Sequence, residues 1–477
     1  MSISTSLNTA VSGMSVASRM AEVVSSNVAN SLTDGYGRRS LEVSSSSLSG
    51  VESGAVVRHV DRGLLASRRL ADASLSGVDV LVSNMEQIEA IVGQAGQDGS
   101  IASRIVAVEA ALIDAATNPS SSAALSALSD RLTGLTQGLN DASRSVQNLR
   151  VDADSSISKQ VERLNTALQQ VEKLNDDITY SRNTGIDPAS LLDQRQLVVD
   201  TIAQIVPVRE LDRDGGQIAL MTPGGVSLID GKARQFGFLH NPVIVPDMTL
   251  ASGGLSGITL DGVPLAPSGV GKLGGGTLGA TFQIRDAELV KAQDGLDSIA
   301  ADLVMRFQNP SVDPTLSVTD AGMFTDAGAA FDVGNQNGLA GRISLNAEID
   351  PARGGSVTKL RDGINAQAQG ISGNASLLHA MSAAFAEPKV LTIGGIQQSA
   401  AGRASAFAEN IGTQRLDYEA EFSFANARWS SLKEAEASDG VNTDFEMQML
   451  LRIEQAYAAN ARVVQTIDSM MQRLMEI

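Results

Sequence analysis

Two hydrophobic stripes, one at each end of the 477-residue chain, constrain its fold more than anything between them. Ile3, Leu7, Ala10, Met14, Ala17, Ala21, Val24 and Val28 advance in alternating steps of four and three residues. Met449, Ile453, Ala456, Asn460, Val463, Ile467, Met470, Leu474 and Ile477 keep the same alternation at the other end. An apolar period of 3.5 residues marks a helix that packs lengthwise along another helix. A second row, Leu450, Tyr457, Val464 and Met471, widens the C-terminal face enough to touch two neighbours. Asn460 stands in an otherwise apolar seam, where a polar side chain fixes register at some cost in stability. Capping, or a face on a water-filled channel, is the other reading of that residue. Ordering a residue costs about 1–2 kcal/mol, and burying a large apolar side chain returns roughly 1.5–3 kcal/mol. The N-terminal stripe has eight apolar members, three of them alanine. It cannot hold some thirty residues in place alone, so both ends are expected to be mobile in isolation and helical once a partner surface covers them.

Between the stripes the pattern predicts a mainly α chain with a β-rich insertion. Residues 1–32 read as one helix, broken by Asp34-Gly35-Tyr36-Gly37. Residues 40–58 are Ser-rich and read as an extended linker or short strands. From 61 to 205 the chain reads as helical almost throughout, including one long helix over Asp130–Tyr180 with apolar steps of three or four residues. Asp187-Pro188 opens the next helix. Residues 207–284 carry Gly, Pro and short β-like runs, among them Gln217–Met221, Val226–Ile229, Val243–Val245 and Thr281–Ile284. Helices return over 285–308, near Ala375–Ala386 and over 400–436, with Ser438-Asp439-Gly440 as a hinge before the last one. The expected organisation is therefore a terminal helical domain of 1–40 with 437–477, a helical rod of 41–206 with 285–436, and a β-rich subdomain of 207–284. Residues 325–342 form only a short loop. The termini share one side of an elongated subunit, with terminal helices in a coiled-coil-like pair.

The formal net charge of −18 argues against nucleic acid as a partner. With no cysteine, disulfides and thiolate metal sites are excluded. No apolar stretch reaches 18 residues, so no membrane span is expected, and the start lacks the pattern of a cleaved signal peptide. The three histidines, His59, His240 and His379, are scattered, which does not suit metal ligation. Gly269-Val270-Gly271-Lys272-Leu273-Gly274 matches G-x-G-x-x-G, but prolines precede it and a strand-like run is expected after it, the wrong context for a dinucleotide. Asp176-Asp177 read as solvated helix charges rather than an acid/base pair. No catalytic, cofactor or metal residues are assigned, and no enzyme activity is expected.

Three local patterns carry a resemblance. Asn27-Val28-Ala29-Asn30-Ser31-Leu32-Thr33-Asp34-Gly35-Tyr36 resembles the N-x-x-N-x-x-T-x-G-Y signature of bacterial flagellar axial proteins. Gly440-Val441-Asn442-Thr443-Asp444-Phe445, followed by Gln455-Ala456-Tyr457-Ala458-Ala459-Asn460-Ala461-Arg462-Val463, is similar to that group's C-terminal helix, with Phe445 where Glu is usual and Gly37 where Ser usually follows the Tyr. Leu191-Leu192-Asp193-Gln194-Arg195 resembles an element of the hook-associated FlgK family. A helical rather than β-rich second domain favours that family over hook or distal-rod subunits, which remain the alternative. An axial protein fused to a wall-cutting enzyme is a more distant third.

The resemblance implies a secreted structural subunit of the hook–filament junction, exported by the flagellar type III apparatus without a cleaved signal. Its implied partners are copies of itself in a helical ring, hook protein below, a second hook-associated protein above, and an export chaperone on the C-terminal helix. The residues expected at the assembly interface are Ile3, Leu7, Met14, Val24, Asn27, Val28, Asn30, Thr33, Gly35 and Tyr36, with Met449, Ile453, Tyr457, Asn460, Val463, Ile467, Met470 and Leu474.

Overall fold

The computed structural model describes residues 3–46, 50–94, 96–265, 270–390 and 396–475, and the chain is 64% helical. Ile477 of the C-terminal stripe and Gly269 of the glycine motif lie outside the described residues. The first helix, α1 (Ile3–Ala29), leads into a hairpin of β1 (Arg38–Ser46) and β2 (Gly50–His59). Four helices follow: α2 (Arg62–Val92), α3 (Ile101–Thr117), α4 (Ser122–Thr184) and α5 (Ala189–Ile205). Short strands β3 (Arg209–Asp212), β4 (Ile218–Met221), β5 (Ser227–Asp230) and β6 (Lys232–Ala233) pair in sequence order, all antiparallel. A smaller sheet joins β7 (Phe236–Gly237), β8 (Thr259–Leu260) and β9 (Val263–Pro264).

Helix then resumes with α6 (Gly276–Gln283), one π turn and α7 (Leu289–Phe307). Strand β10 (Phe324–Asp326), helix α8 (Leu339–Arg342), strand β11 (Ile343–Leu345), α9 (Lys359–Asp362), α10 (Ser376–Ala386), α11 (Ala400–Asp439) and α12 (Thr443–Met475) complete the chain.

Helix α4 organises the body. Its 63 residues span about 95 Å at 1.5 Å per residue. Ser121 caps its start by accepting from the Ala124 N–H, and Gly185, left-handed at φ 75°, ends it. Leu125, Leu128, Leu132, Leu135 and Leu139 face one core with α2, α3, α7, α10 and α11. Ile157, Val161, Leu164, Leu168 and Val171 face a second core with α5, α6 and the small sheets. Two asparagines on the same helix clip strand backbone to it. Asn165 donates to the Phe236 carbonyl (2.7 Å) and accepts from its N–H (2.9 Å), and Asn175 does the same to Ile218 (2.9 and 3.2 Å). Each clip satisfies strand backbone that these short sheets leave unpaired.

Several sequence expectations need correction. The run Thr281–Ile284 is helical, not a strand, and the β-rich stretch ends at Pro264, short of residue 284. Leu278 and Phe282 are buried four residues apart, and Ala280 and Thr281 are buried too, so burial follows a helix and not a strand's alternation. Val243–Val245 forms no strand. A helix, not a strand-like run, follows Gly271–Leu273, and its first residue Gly276 lies against the Ile205 carbonyl, filled by protein. The Ser-rich stretch, by contrast, forms the expected short strands, Arg38–Ser46 paired with Gly50–His59 and packed on α1. The segment 325–342 is not loop alone, since it holds α8, and Asp326 pairs with Ile343. Ser438 and Asp439 stay within α11, and the break falls at Gly440–Asn442.

The helical body holds its charges in pairs. Arg68 on α2 bridges Asp72, Asp200 (2.6 Å) and Glu436 of α11 (2.6 Å), and the Trp429 indole donates to Asp72. Burial pulls the guanidinium down, yet Asp200, Glu436 and Asp72 outweigh it and hold Arg68 above its ordinary value. His240 Nδ1 lies 2.8 Å from buried Asp154, His59 Nε2 lies 2.7 Å from Ser40 Oγ, and His379 is exposed. Among the described residues no group of His, Asp or Glu is placed to hold a metal, and no helix is long and apolar enough to cross a membrane.

Candidate functional site

The two stripes meet. Helices α1 and α12 run antiparallel, with Gly13 against Asn460 and with Ala17, Met20, Ala21 and Val24 clustered on Met449, Leu450 and Ile453. Each stripe divides into two rows seven residues apart. On α1, Ala10, Ala17 and Val24 are buried, while Leu7, Met14, Ala21 and Val28 are only half covered and Ile3 is exposed. On α12, Ile453 and Ile467 are buried and Asn460 half-buried in one row. Met449 is half-buried in the other row, which then emerges into solvent at Ala456, Val463 and Met470. Leu474 belongs to the inner row but runs past the Ile3 end of α1, leaving it 60% exposed. Tyr457 and Met471 of the second row are exposed as well. A straight helix drifts about 20° per heptad from a 3.5-residue repeat, so one partner helix covers only part of such a face.

Asn460 fixes how the pair meshes. A Cβ on Gly13 would sit 2.7 Å from Asn460 Nδ2, so only glycine admits the amide there. The amide itself donates to the Ala456 carbonyl at 3.1 Å. A glycine inside a helix costs about 1 kcal/mol relative to alanine, and the knob of Asn460 is the packing reason for it.

The segment after α1 forms a polar latch. Asn27 is fully buried. Its amide donates to the Arg39 carbonyl (2.8 Å), and its Oδ1 accepts from the Arg39 N–H (2.9 Å) and from the Tyr36 hydroxyl (2.9 Å). Asn30 donates to the Ser26 carbonyl at 2.9 Å, and Thr33 Oγ1 lies 3.4 Å from Asn30 Oδ1. Asn30 thus ties the end of α1 to itself, while Asn27 ties it to β1. Gly35 takes φ 76°, and a Cβ there would meet Leu197 of α5 at 2.8 Å.

Asp193 closes the latch from α5. It accepts from the Gly37 N–H (3.1 Å), from Arg39 (2.6 Å) and from Arg58 of β2 (2.7 Å). Arg58 Nε would lie 2.5 Å from a Cβ at Gly37, so Gly rather than a larger residue fits this position. Across the latch, Arg38 pairs with buried Glu446 of α12 at 2.8 Å and stacks over the Phe445 ring at 5.1 Å. Asn442 caps α12 by accepting from the Phe445 N–H at 3.0 Å. The Asp193 pairs carry real weight at this depth because one carboxylate meets three donors.

The structure thus gathers Asn27, Asn30, Thr33, Gly35 and Tyr36 in one latch, and Met449, Ile453, Asn460 and Ile467 with Val24 in one intramolecular seam. Val463, Met470, Tyr457 and Leu474 lie outside both. The residues missed by sequence reasoning are Arg38, Arg39, Arg58, Asp193 and Glu446. The L-L-D-Q-R match had flagged Asp193 without giving it a role, and the acid after Phe445 was the remaining signal for Glu446.

Comparison with known proteins gives a consistent order along the chain. A family model described as "Flagella basal body rod protein" matches residues 7–36, "Flagellar hook-associated protein FlgK helical domain" matches 85–310, and "Flagellar basal body rod FlgEFG protein C-terminal" matches 436–477. The chain is 27% identical over 247 residues to flagellar hook-associated protein 1 of Escherichia coli, covering 49% of this chain and 44% of that one. It is 28% identical to the protein of that name from Salmonella typhimurium over the same shares, and 23% identical to that of Bacillus subtilis over 46% and 47%. The match therefore spans less than half the length of these curated relatives. The solved flagellar hook junction protein FlgK of Burkholderia pseudomallei aligns with a TM-score of 0.46 at 20% identity, over 55% of this chain and 46% of that one. Rod-type segments at both ends enclosing a FlgK-type helical domain make the chain similar, along its length, to the flagellar axial proteins of the hook-associated FlgK type.

Proposed function

We propose that this chain is a structural subunit of the bacterial flagellum that polymerises through α1 and α12 into a helical ring at the hook–filament junction. The observation that carries the reading is the divided stripe. One row of each terminal helix is used within the subunit; the other is only half covered on α1 and open at Val463 and Met470 on α12, and Leu474 is open at the end of the inner row. An apolar row that continues a packed seam fits helices of neighbouring copies. On this reading residues 1–40 with 437–477 form the inner domain, and the helical body stands outside it with the small sheets. The latch then has a mechanical role: Asp193 of α5 ties the segment after α1 to the body, and the Arg38–Glu446 pair ties α12 to that same segment, so force on one part reaches the other.

The role is structural rather than catalytic. Hook protein would contact the ring on one side and a second hook-associated protein on the other. The flagellar type III apparatus would export the chain without signal cleavage. A chaperone would cover Val463, Met470 and Leu474 until assembly, by laying the apolar face of α12 in a groove.

Leu474→Asp tests the reading. The site is 60% exposed, so unfolding of the isolated chain should shift by no more than about 0.5 kcal/mol. Incorporation and motility should be lost, with the variant appearing in the medium. Normal motility would refute the proposal. Immunogold label on the wild type should mark one band where filament meets hook, whereas label along the hook would make it a hook subunit.

A further inference from the structure

A cleft of about 780 Å³ opens between α1, β2, the start of α2, the α4–α5 turn and β3. Seven arginines and three acids line it, in a chain whose net charge is −18. Four of the arginines are matched by carboxylates. Arg58 pairs with Asp193, Arg69 with Asp200 and Glu210, Arg62 with Asp212, and Arg213 with Asp230. Asp187, the third acid, is engaged in accepting from the Ala189 N–H.

Three cations remain. Arg195 is only 8% exposed, and its hydrogen bonds run to neutral oxygens, Asn175 Oδ1 (2.8 Å) and the Gly216 carbonyl (2.7 Å). Arg182 makes no side-chain hydrogen bond or ion pair among the described residues, and its guanidinium lies over Gly216. Among the described residues Arg19 of α1 reaches only the Ser53 hydroxyl. Burial first, then Arg182 and Arg58, push the Arg195 guanidinium down to about 10, with Glu210 opposing. A buried cation beside another cation is costly unless an anion joins it.

We propose that this cleft receives carboxylate side chains from a second copy of the chain. The inference rests on the polymerising role above. Copies carrying −18 each repel one another, and a socket with three unmatched cations gives a neighbour's acidic segment a defined seat. Guanidinium donors take carboxylates in bidentate pairs. Arg19 sits on α1 while Arg182 and Arg195 belong to the helical body, so an occupant would bridge the two parts and hold them in one relative position. A charged socket of this kind selects orientation and register more than raw affinity.

The test uses the full chain in flagellated cells, with a photoreactive phenylalanine in place of Arg182 and, as control, in place of Leu474. The expected result is a cross-link between two copies from position 182, mapping to an Asp- or Glu-bearing segment. Copy-to-copy cross-links from 474 with none from 182, or a 182 cross-link to a different protein, overturn the cleft proposal and leave the junction role standing. No copy-to-copy product from either position removes both. In parallel, Arg182→Glu should lower the copies recovered in purified flagella about tenfold, as for loss of a charge pair at an interface. Arg182→Lys should restore most of them, and an unchanged circular dichroism spectrum should exclude misfolding. Wild-type recovery with Arg182→Glu would overturn the proposal.

Discussion

Replacing Asn27 with alanine isolates the latch from the rest of the fold. The side chain is fully buried and makes three hydrogen bonds, two of them to the backbone of Arg39. Its removal leaves the Arg39 N–H and carbonyl without their partner, and a buried unsatisfied group costs about 1–3 kcal/mol. Partial rehydration of an opened site makes the two losses less than additive, so about 3 kcal/mol is expected. The cost falls on the contact between α1 and β1, because the large cores around α4 do not include Asn27. In native-state hydrogen exchange, protection of the Arg39 amide should fall about a hundredfold, since each 1.4 kcal/mol is a factor of ten. Amides at Leu132 and Leu164, in the body, should keep their rates. Two results refute the reasoning: unchanged exchange at Arg39, or equal loss of protection across the whole chain. The first would mean that the clip bears no energy, and the second that α1 is integral to the body core.

Further outcomes follow from single contacts. Gly13→Val should drive Asn460 out of its notch, because a Cβ at position 13 lies 2.7 Å from the amide nitrogen. Limited proteolysis should then cut within residues 3–29 and 443–475 faster than in the wild type, and equal cutting would show that the notch does not set the register. Tyr418 is pushed up to about 12 by burial, by the nearby Glu288 charge and by its hydrogen bond to that carboxylate. Its raised value means that its stabilising effect is complete below pH 10 and is lost as pH climbs through 12. The absorbance difference at 295 nm between wild type and Tyr418→Phe should therefore titrate near 12, and a midpoint near 10 would remove the Glu288 contact from solution.

The parts of the fold legible in the sequence are those set by local periodicity. The long helix α4 was readable because Leu164, Leu168, Val171 and Ile178 keep steps of three, four and seven residues, and because Asn183-Thr184-Gly185 supplies a left-handed stop. The boundary of the β-rich stretch was not, since Thr281-Phe282-Gln283-Ile284 has the β-branched and aromatic content of a strand. There tertiary burial on α4 and α2 overrode local propensity. The terminal stripes announced helix packing, but a heptad repeat cannot say which of its two rows a subunit keeps for itself. That depends on where Asn460 finds its glycine, 447 positions away by residue number.

The latch shows why a motif can be recognised long before it is understood. Tyr36 and Asn27 look like surface polar residues in one dimension, and Asp193 looks like one more charge on an amphipathic helix. Their meaning appears only when α5 lies across the exit of α1. One carboxylate then meets the Gly37 amide, Arg39 and Arg58 together, and Gly37 must lack a side chain because Arg58 fills that space. Each of these residues is conditional on the others: Asp193 without the two arginines would be a half-buried charge with one amide for company, and the arginines without it would repel. Such mutual dependence resists gradual substitution and keeps the geometry between inner helices and outer body narrow. On the proposed role, a subunit that joins hook to filament needs that narrowness at the place where its two parts meet.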